Sequence, residues 1–298
     1  MAFNLQTFRT RALTALVFVA VMLTGLLWNH WSFFILFSII HFGCWIEYQK
    51  LVGLIDSGYK EISPFHKYGV MIAGWCLMLW FTNNAYSIFG FRLHEAGWWL
   101  GLILIFALPI VEILFAKQVL PKNIGHSAFG LIYISLSLGL LMNLFGKSTD
   151  IHTHDTLYVL GGNFFAVVMI ASIWINDTMA YLVGSFIGKT PLSKISPKKT
   201  WEGTIGGIIL SSGLTGVVYS LIFYQTVDFA LVVLIAPISF IASIAGTFGD
   251  LLESKLKRMA GVKDSGHIMP GHGGFLDRFD SLLVATPFVW LFVYFFVG

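Results

Sequence analysis

Apolar runs of membrane-crossing length recur along this chain, separated by short polar stretches. They fall at about residues 12–28, 31–48, 68–82, 98–116, 127–146, 163–187, 204–224, 229–249 and 281–297. A helix crossing the hydrocarbon core needs about 20 mostly apolar residues, so the pattern predicts nine transmembrane helices. The third run is short, and the sixth carries a charge, Asp177. Trp28, Trp31, Trp98 and Trp99 sit at run ends, where aromatic side chains anchor a span at the membrane interface. The expected fold is all-α: a polytopic helical bundle forming one integral membrane domain over residues 1–298.

Composition supports the pattern. Hydrophobic residues make up 57% of the chain and charged residues only 11%, the balance of a membrane protein. Cys44 and Cys76 both fall in apolar runs and read as buried thiols. A net charge of +3 is too small to argue for nucleic acid. Arg9 and Arg11 precede the first run as in a signal peptide. No small-x-small cleavage pattern follows, so an uncleaved first span is expected.

The placement of charge says more than its sum. With a cytoplasmic N-terminus, 16 of the 18 Lys and Arg residues fall on the inner side, leaving Arg92 and Lys147 outside. The positive-inside rule therefore predicts an inside N-terminus and an outside C-terminus. Glu47 and Glu112 lie near cytoplasmic run ends, where they are expected to reach water, and receive no role. His152 and His154 share an outer loop and read as solvated. Gly203, Gly207, Ser211 and Thr215 form a small-residue stripe whose expected role is close helix packing.

Three constellations carry candidate chemistry. The first is residues 250–281, which hold ten of the chain's charged residues. Glycines let backbone N–H groups approach an anion, and a helix start adds favourable partial charge. Carboxylates such as Asp250, Asp277 and Asp280 can hold a Mg²⁺ that in turn holds phosphate. Glu253, Ser254 and Lys257 share a helical face with Asp250. The second is Ser196-Pro197-Lys198-Lys199-Thr200-Trp201-Glu202-Gly203, whose lysines and hydroxyls beside a helix start make an anion site. Alone, it is also the pattern of an ordinary basic juxtamembrane loop. The third is Asn176-Asp177 within an apolar run, where a carboxylate is costly and marks function or an ion pair with a lysine.

These stretches resemble the hallmarks of the phosphatidate cytidylyltransferases, or CDP-diacylglycerol synthases. The matching elements are Ser254, Lys257-Arg258, Lys263-Asp264, Pro270-Gly271-His272-Gly273-Gly274 and Asp277-Arg278-Phe279-Asp280, all at the family's spacing. Met269 stands where the family has Leu, Ile or Phe, a tolerable apolar exchange. Residues 196–203 resemble the family's S-P-K-K-T-x-E-G, and Asp177, Ala180-Tyr181 and Gly184 match a third element. The resemblance covers about residues 176–281.

It implies the reaction of CTP with phosphatidate to give CDP-diacylglycerol and pyrophosphate. It also implies Mg²⁺, with a second monovalent or divalent cation left open, and a homodimer in the inner (plasma) membrane with its active site facing the cytoplasm. Asp250 and Asp277 are the expected shared metal ligands, with Asp280, Asp264 and Asp177 as further candidates. Ser196, Lys198, Lys199 and Thr200 would hold phosphates, and Glu202 would orient the lysines or contact base or metal. Lys257, Arg258, Lys263 and Arg278 would steady the lipid phosphate or the leaving pyrophosphate, and Ser254, His272, Gly273 and Gly274 are further expected substrate-binding residues. Two rivals use similar residues: a CTP-dependent cytidylyltransferase or kinase acting on a polyprenyl-type lipid, and a secondary transporter for an anionic solute. Transporters place their site between repeated halves near the midplane, whereas no repeat is visible here and the charges gather at one face.

Overall fold

The computed structural model describes residues 5–115, 119–152, 157–267 and 273–297. The described chain is almost entirely helical. Its packing divides it into two units, residues 1–143 with 256–279 and residues 144–255 with 280–298.

The first unit begins with α1 (Leu5–Leu27) and α2 (His30–Ile55). Asn29 starts α2 with a capping box: its side chain accepts from the Ser32 N–H at 2.8 Å, while the Ser32 hydroxyl accepts from the Asn29 N–H at 3.1 Å. Asp56 ends α2 in extended conformation and caps the short α3 (Ser57–Lys60). Lys122, His126 and the Gly58 N–H surround its carboxylate and hold it below the usual range, Lys122 most of all. Ser63 and Pro64 start α4 (Pro64–Trp80), with Pro at a position where no helical N–H bond is lost. A hairpin of β1 (Ser87–Ile88) and β2 (Phe91–Arg92) turns through Phe89 and Gly90, both at positive φ, the backbone a two-residue hairpin requires. Then come α5 (Leu93–Phe115), α6 (Pro121–Gly130), a π-helical turn at Leu131–Leu136 and α7 (Ser137–Phe145).

Helix α2 is the centre of this unit. Phe33, Phe37, Trp45 and Tyr48 are fully buried along it. Two of its polar members meet one hydroxyl: Trp45 Nε1 donates to Ser135 Oγ at 2.9 Å, and His41 Nε2 lies 3.0 Å from the same oxygen. Cys44 and Cys76 are buried and not joined in a disulfide, as expected.

The second unit holds a hairpin of β3 (Thr149–His152) and β4 (Leu157–Leu160), then α8 (Phe164–Ile187), α9 (Trp201–Tyr224) and α10 (Phe229–Met259). Helix α11 (Leu276–Phe296) follows, and α10 and α11 each contribute residues to both units. Among the described residues, the two short hairpins are the strand pairs that depart from the all-α expectation. His154 lies outside the described residues.

The small-residue stripe packs. A Cβ on Gly207 would meet the backbone of Ala180, and one on Gly203 would meet Ala180 and Gly184, so α9 lies directly against α8. Further along, Ser211 Oγ lies 2.7 Å from Ser243 Oγ and Thr215 Oγ1 3.1 Å from Ser239 Oγ, which ties α9 to α10. Buried hydroxyl pairs of this kind satisfy each other inside an apolar layer.

Among the described residues, seven helices are long and apolar enough to cross a membrane: α2, α5, the continuous helical stretch Pro121–Phe145, α8, α9, α10 and α11. The apolar part of α1, Leu13–Leu27, and the 17-residue α4 are shorter. Ile105, Phe106, Ile113 and Leu114 of α5 are all exposed, the surface a bilayer covers. The eighth expected span does not stop at residue 249. Helix α10 runs 31 residues to Met259, so Asp250, Glu253, Ser254 and Lys257 extend the same helix.

Candidate active site

In the second unit, the loop between α8 and α9 carries the lysine pair, and it is folded back on itself. The Trp201 N–H donates to the Thr190 carbonyl at 2.9 Å and the Leu192 N–H to the Lys199 carbonyl at 2.7 Å. Glu202 pins this loop. Its carboxylate accepts from the Thr190 hydroxyl at 2.8 Å and from the N–H groups of Lys189 and Thr190. Glu202 therefore shapes the loop that holds the lysines, where the sequence left it to orient them directly or to contact base or metal. Thr200 caps α9 by accepting from the Gly203 N–H at 3.2 Å. Ser196 is half-buried and Lys198 exposed.

Lys199 turns inward and forms an ion pair with Asp250 of α10. Asp177 of α8 and Asp280 of α11 lie in the same electrostatic neighbourhood, each interacting with Asp250 and Lys199. Gly249 makes this possible, because a Cβ there would collide with the backbone of Asp280 and Ser281. One lysine thus pairs with Asp250 and interacts with two further acidic side chains. Beside them Asn176 is buried, and its Oδ1 has no hydrogen-bond partner.

A hard cation fits this donor set: carboxyl groups outnumbering the one lysine, plus an unused amide oxygen. Among the described residues no three His, Cys, Asp or Glu form a ready-made metal cage. Mg²⁺ does not demand one, since it is usually held by one or two carboxylates with water and substrate phosphates completing its shell.

In the first unit, the chain after α10 returns through Lys263 and Asp264, both exposed, and Ser265 and Gly266, both buried. Asp277, in the first turn of α11, is heavily engaged. It accepts from Lys257 Nζ at 2.6 Å and from the Ser265 N–H, the Ser265 hydroxyl and the Gly274 N–H, each at 2.8 Å. Gly273 has φ +82°, a conformation only glycine adopts cheaply. Ser254 is half-buried, while Arg258 and Arg278 are exposed. His272 lies outside the described residues.

Three residues were missed or misread from sequence. Glu47 does not reach water: it is 7% exposed and accepts from Ser265 Oγ at 2.7 Å, Phe275 N–H at 2.9 Å and Leu276 N–H at 2.8 Å. Glu112 likewise is largely covered and pairs with His66 at 3.2 Å. The available signal was a carboxylate inside an apolar run, which marks a partnered site by default. Ser265, which joins Glu47 to Asp277, carried no signal beyond lying in the signature.

These features define a polytopic membrane protein whose polar chemistry suits phosphate groups and the cations that accompany them. A model of the cytidylyltransferase family matches residues 9–296, and the chain belongs to that family. It is 38% identical to the phosphatidate cytidylyltransferase of Bacillus subtilis over 62% of this chain and 65% of that relative, just under two thirds of the latter's length. The enzyme of the same name from Staphylococcus saprophyticus is 38% identical over 65% of this chain and 71% of its own. That from Synechocystis is 42% identical over 44% of each.

Proposed function

We propose that this chain is a phosphatidate cytidylyltransferase, joining the CMP moiety of CTP to the phosphate of phosphatidate with release of pyrophosphate. The observation that carries the reading is the ion pair of Lys199 with Asp250. It joins residues 51 positions apart in two motifs, the lysine-rich loop and the acidic signature, and relatives matched along this chain bear that enzyme's name.

The chemistry follows from charge. A phosphate monoester has a second pKa of about 6, so the lipid nucleophile is largely ionised at neutral pH and needs no general base. The barrier lies in bringing one anion to another. Asp177, Asp250 and Asp280, with Asn176, would hold Mg²⁺, and Asp277 is a further acidic candidate. When bound, the ion supplies charge neutralisation of the triphosphate for in-line displacement at its α-phosphorus. Lys199, released from Asp250 as phosphate arrives, and Lys198 neutralise phosphate oxygens. Glu202 and Thr200 keep their loop shaped for that contact. Lys257, Lys263, Arg258 and Arg278 balance the lipid phosphate or the departing pyrophosphate.

Further parts of the reading are nine spans with α1 and α4 included, a cytoplasmic N-terminus and active site, residence in the plasma membrane, and a homodimer. The basic residues' distribution supports the orientation.

The test uses purified protein with labelled CTP, phosphatidate and Mg²⁺. Labelled CDP-diacylglycerol is expected, and chelation of divalent cations should stop its formation. Lys198→Gln with Lys199→Gln should abolish turnover while expression stays near normal. Full activity in that double variant would reduce the loop to a topological signal.

A further inference from the structure

Glu47 sits on α2, more than 200 residues from the signature in sequence, yet its carboxylate is inserted into that signature. Three donors converge on it: the Ser265 hydroxyl and the N–H groups of Phe275 and Leu276, at the entry to α11. The first N–H groups of a helix have no intrahelical partner, and an anion there also meets the positive end of the helix dipole. Glu47 is thus a cap for α11 supplied from a distant helix. The glycines of the turn make room for it. A Cβ on Gly266 or Gly274 would overlap the Glu47 carboxylate, and one on Gly43 would overlap the Phe275 ring.

The contact does not end at Glu47. Ser265 Oγ lies 2.7 Å from Glu47 Oε2 and 2.8 Å from Asp277 Oδ2. A hydroxyl has one proton, so Ser265 serves the two carboxylates in turn and ties their positions together. Asp277 in turn holds Lys257 at 2.6 Å. The chain Glu47–Ser265–Asp277–Lys257 therefore runs from the buried face of α2 to a cation of the signature.

We infer that Glu47 is a positioning residue for this cytidylyltransferase: through Ser265 and the α11 amides it fixes where Asp277 and Lys257 stand when the substrate phosphates arrive. The inference rests on the function proposed above. Glutamine is the informative replacement. Whichever way its amide points, an NH₂ group faces a backbone N–H of Phe275 or Leu276, because those two donors occupy different oxygens of Glu47. The shape is kept while the cap is broken.

The experiment measures kcat and KM of Glu47→Gln, Ser265→Ala and the double variant with CTP and phosphatidate, together with hydrogen exchange of segment 273–280 in detergent. Glu47→Gln should lower kcat by about 10²-fold, the size expected when a reacting group is misplaced by about 1 Å. KM for phosphatidate should stay within about threefold, since binding common to ground and transition states is untouched. Exchange in 273–280 should quicken, and the double variant should be little worse than the poorer single one, because the two residues act in one chain. Wild-type kcat in Glu47→Gln, or effects that multiply, would overturn the inference. If Glu47→Gln is not recovered folded, Ser265→Ala decides alone, and wild-type kcat in it counts against the proposal. Should the unmodified protein lack cytidylyl transfer, the functional reading fails first. The exchange measurement still judges the clamp, and unchanged exchange in Glu47→Gln rejects it.

Discussion

At the scale of single residues, charge balance separates the acidic side chains by role. Asp250 has Lys199 directly against it, whereas Asp177 and Asp280 are further acidic groups that interact with the same pair. Asp250→Asn keeps the shape and removes one charge. On the proposed function Asp250 is a Mg²⁺ ligand, and losing its charge would weaken the hold on the ion and the stabilisation made only in the transition state. We expect turnover to fall by about 10³-fold, roughly 4 kcal/mol, with the activity midpoint in a Mg²⁺ titration moved to higher concentration. Asp228 provides the control. It accepts from the N–H groups of Ala230 and Leu231 at the start of α10, and asparagine can accept the same bonds. Asp228→Asn should therefore keep wild-type rates.

At the scale of elements, the packing of α8 against α9 decides whether Asp177 and the lysine loop are held in register. The contact is backbone against backbone at Gly203 and Gly207. Any larger side chain there must push the helices apart, and overpacking costs about 1–3 kcal/mol. Gly207→Val should lower the midpoint of thermal unfolding in detergent and reduce activity with it. Gly213 lies on the same helix with nothing within 4 Å of an added Cβ. Gly213→Ala should leave stability unchanged or raise it by about 0.5 kcal/mol, because alanine is the better helix former. Equal effects at the two positions would mean that the small-residue stripe is not a packing surface. Glu202 belongs at this scale too, since its bonds to Lys189 and Thr190 give the α8–α9 loop its shape.

At the scale of the whole molecule, orientation is the property most directly open to measurement. Sixteen of the 18 basic residues fall on one side of a nine-span arrangement, and a membrane potential and anionic inner leaflet favour that side as cytoplasmic. Lys194 and Lys263 are both exposed. Replaced singly by cysteine in a background lacking Cys44 and Cys76, each should react with an impermeant thiol reagent only after the membrane is opened. Labelling of either in intact cells would invert the proposed topology.

The helical class, seven of the nine expected spans and the two signature motifs were legible in the sequence because each is a local property. An apolar run of sufficient length must be helical in a bilayer, since its backbone finds no water there, and the motifs place many polar residue types at set spacings. The stripe from Gly203 to Thr215 was legible for the same reason: four-residue spacing puts small residues on one helix face. The partners of individual charges were not legible. Whether Glu47 meets water or three donors depends on how α2 lies against residues 265–276, a relation between segments more than 200 positions apart. Glu202 and Asp277 likewise carry motif identities that do not say which N–H groups their oxygens accept. A buried carboxylate is stable only where donors converge on it. Sequence spacing could propose these carboxylates, and tertiary packing alone decided what surrounds them.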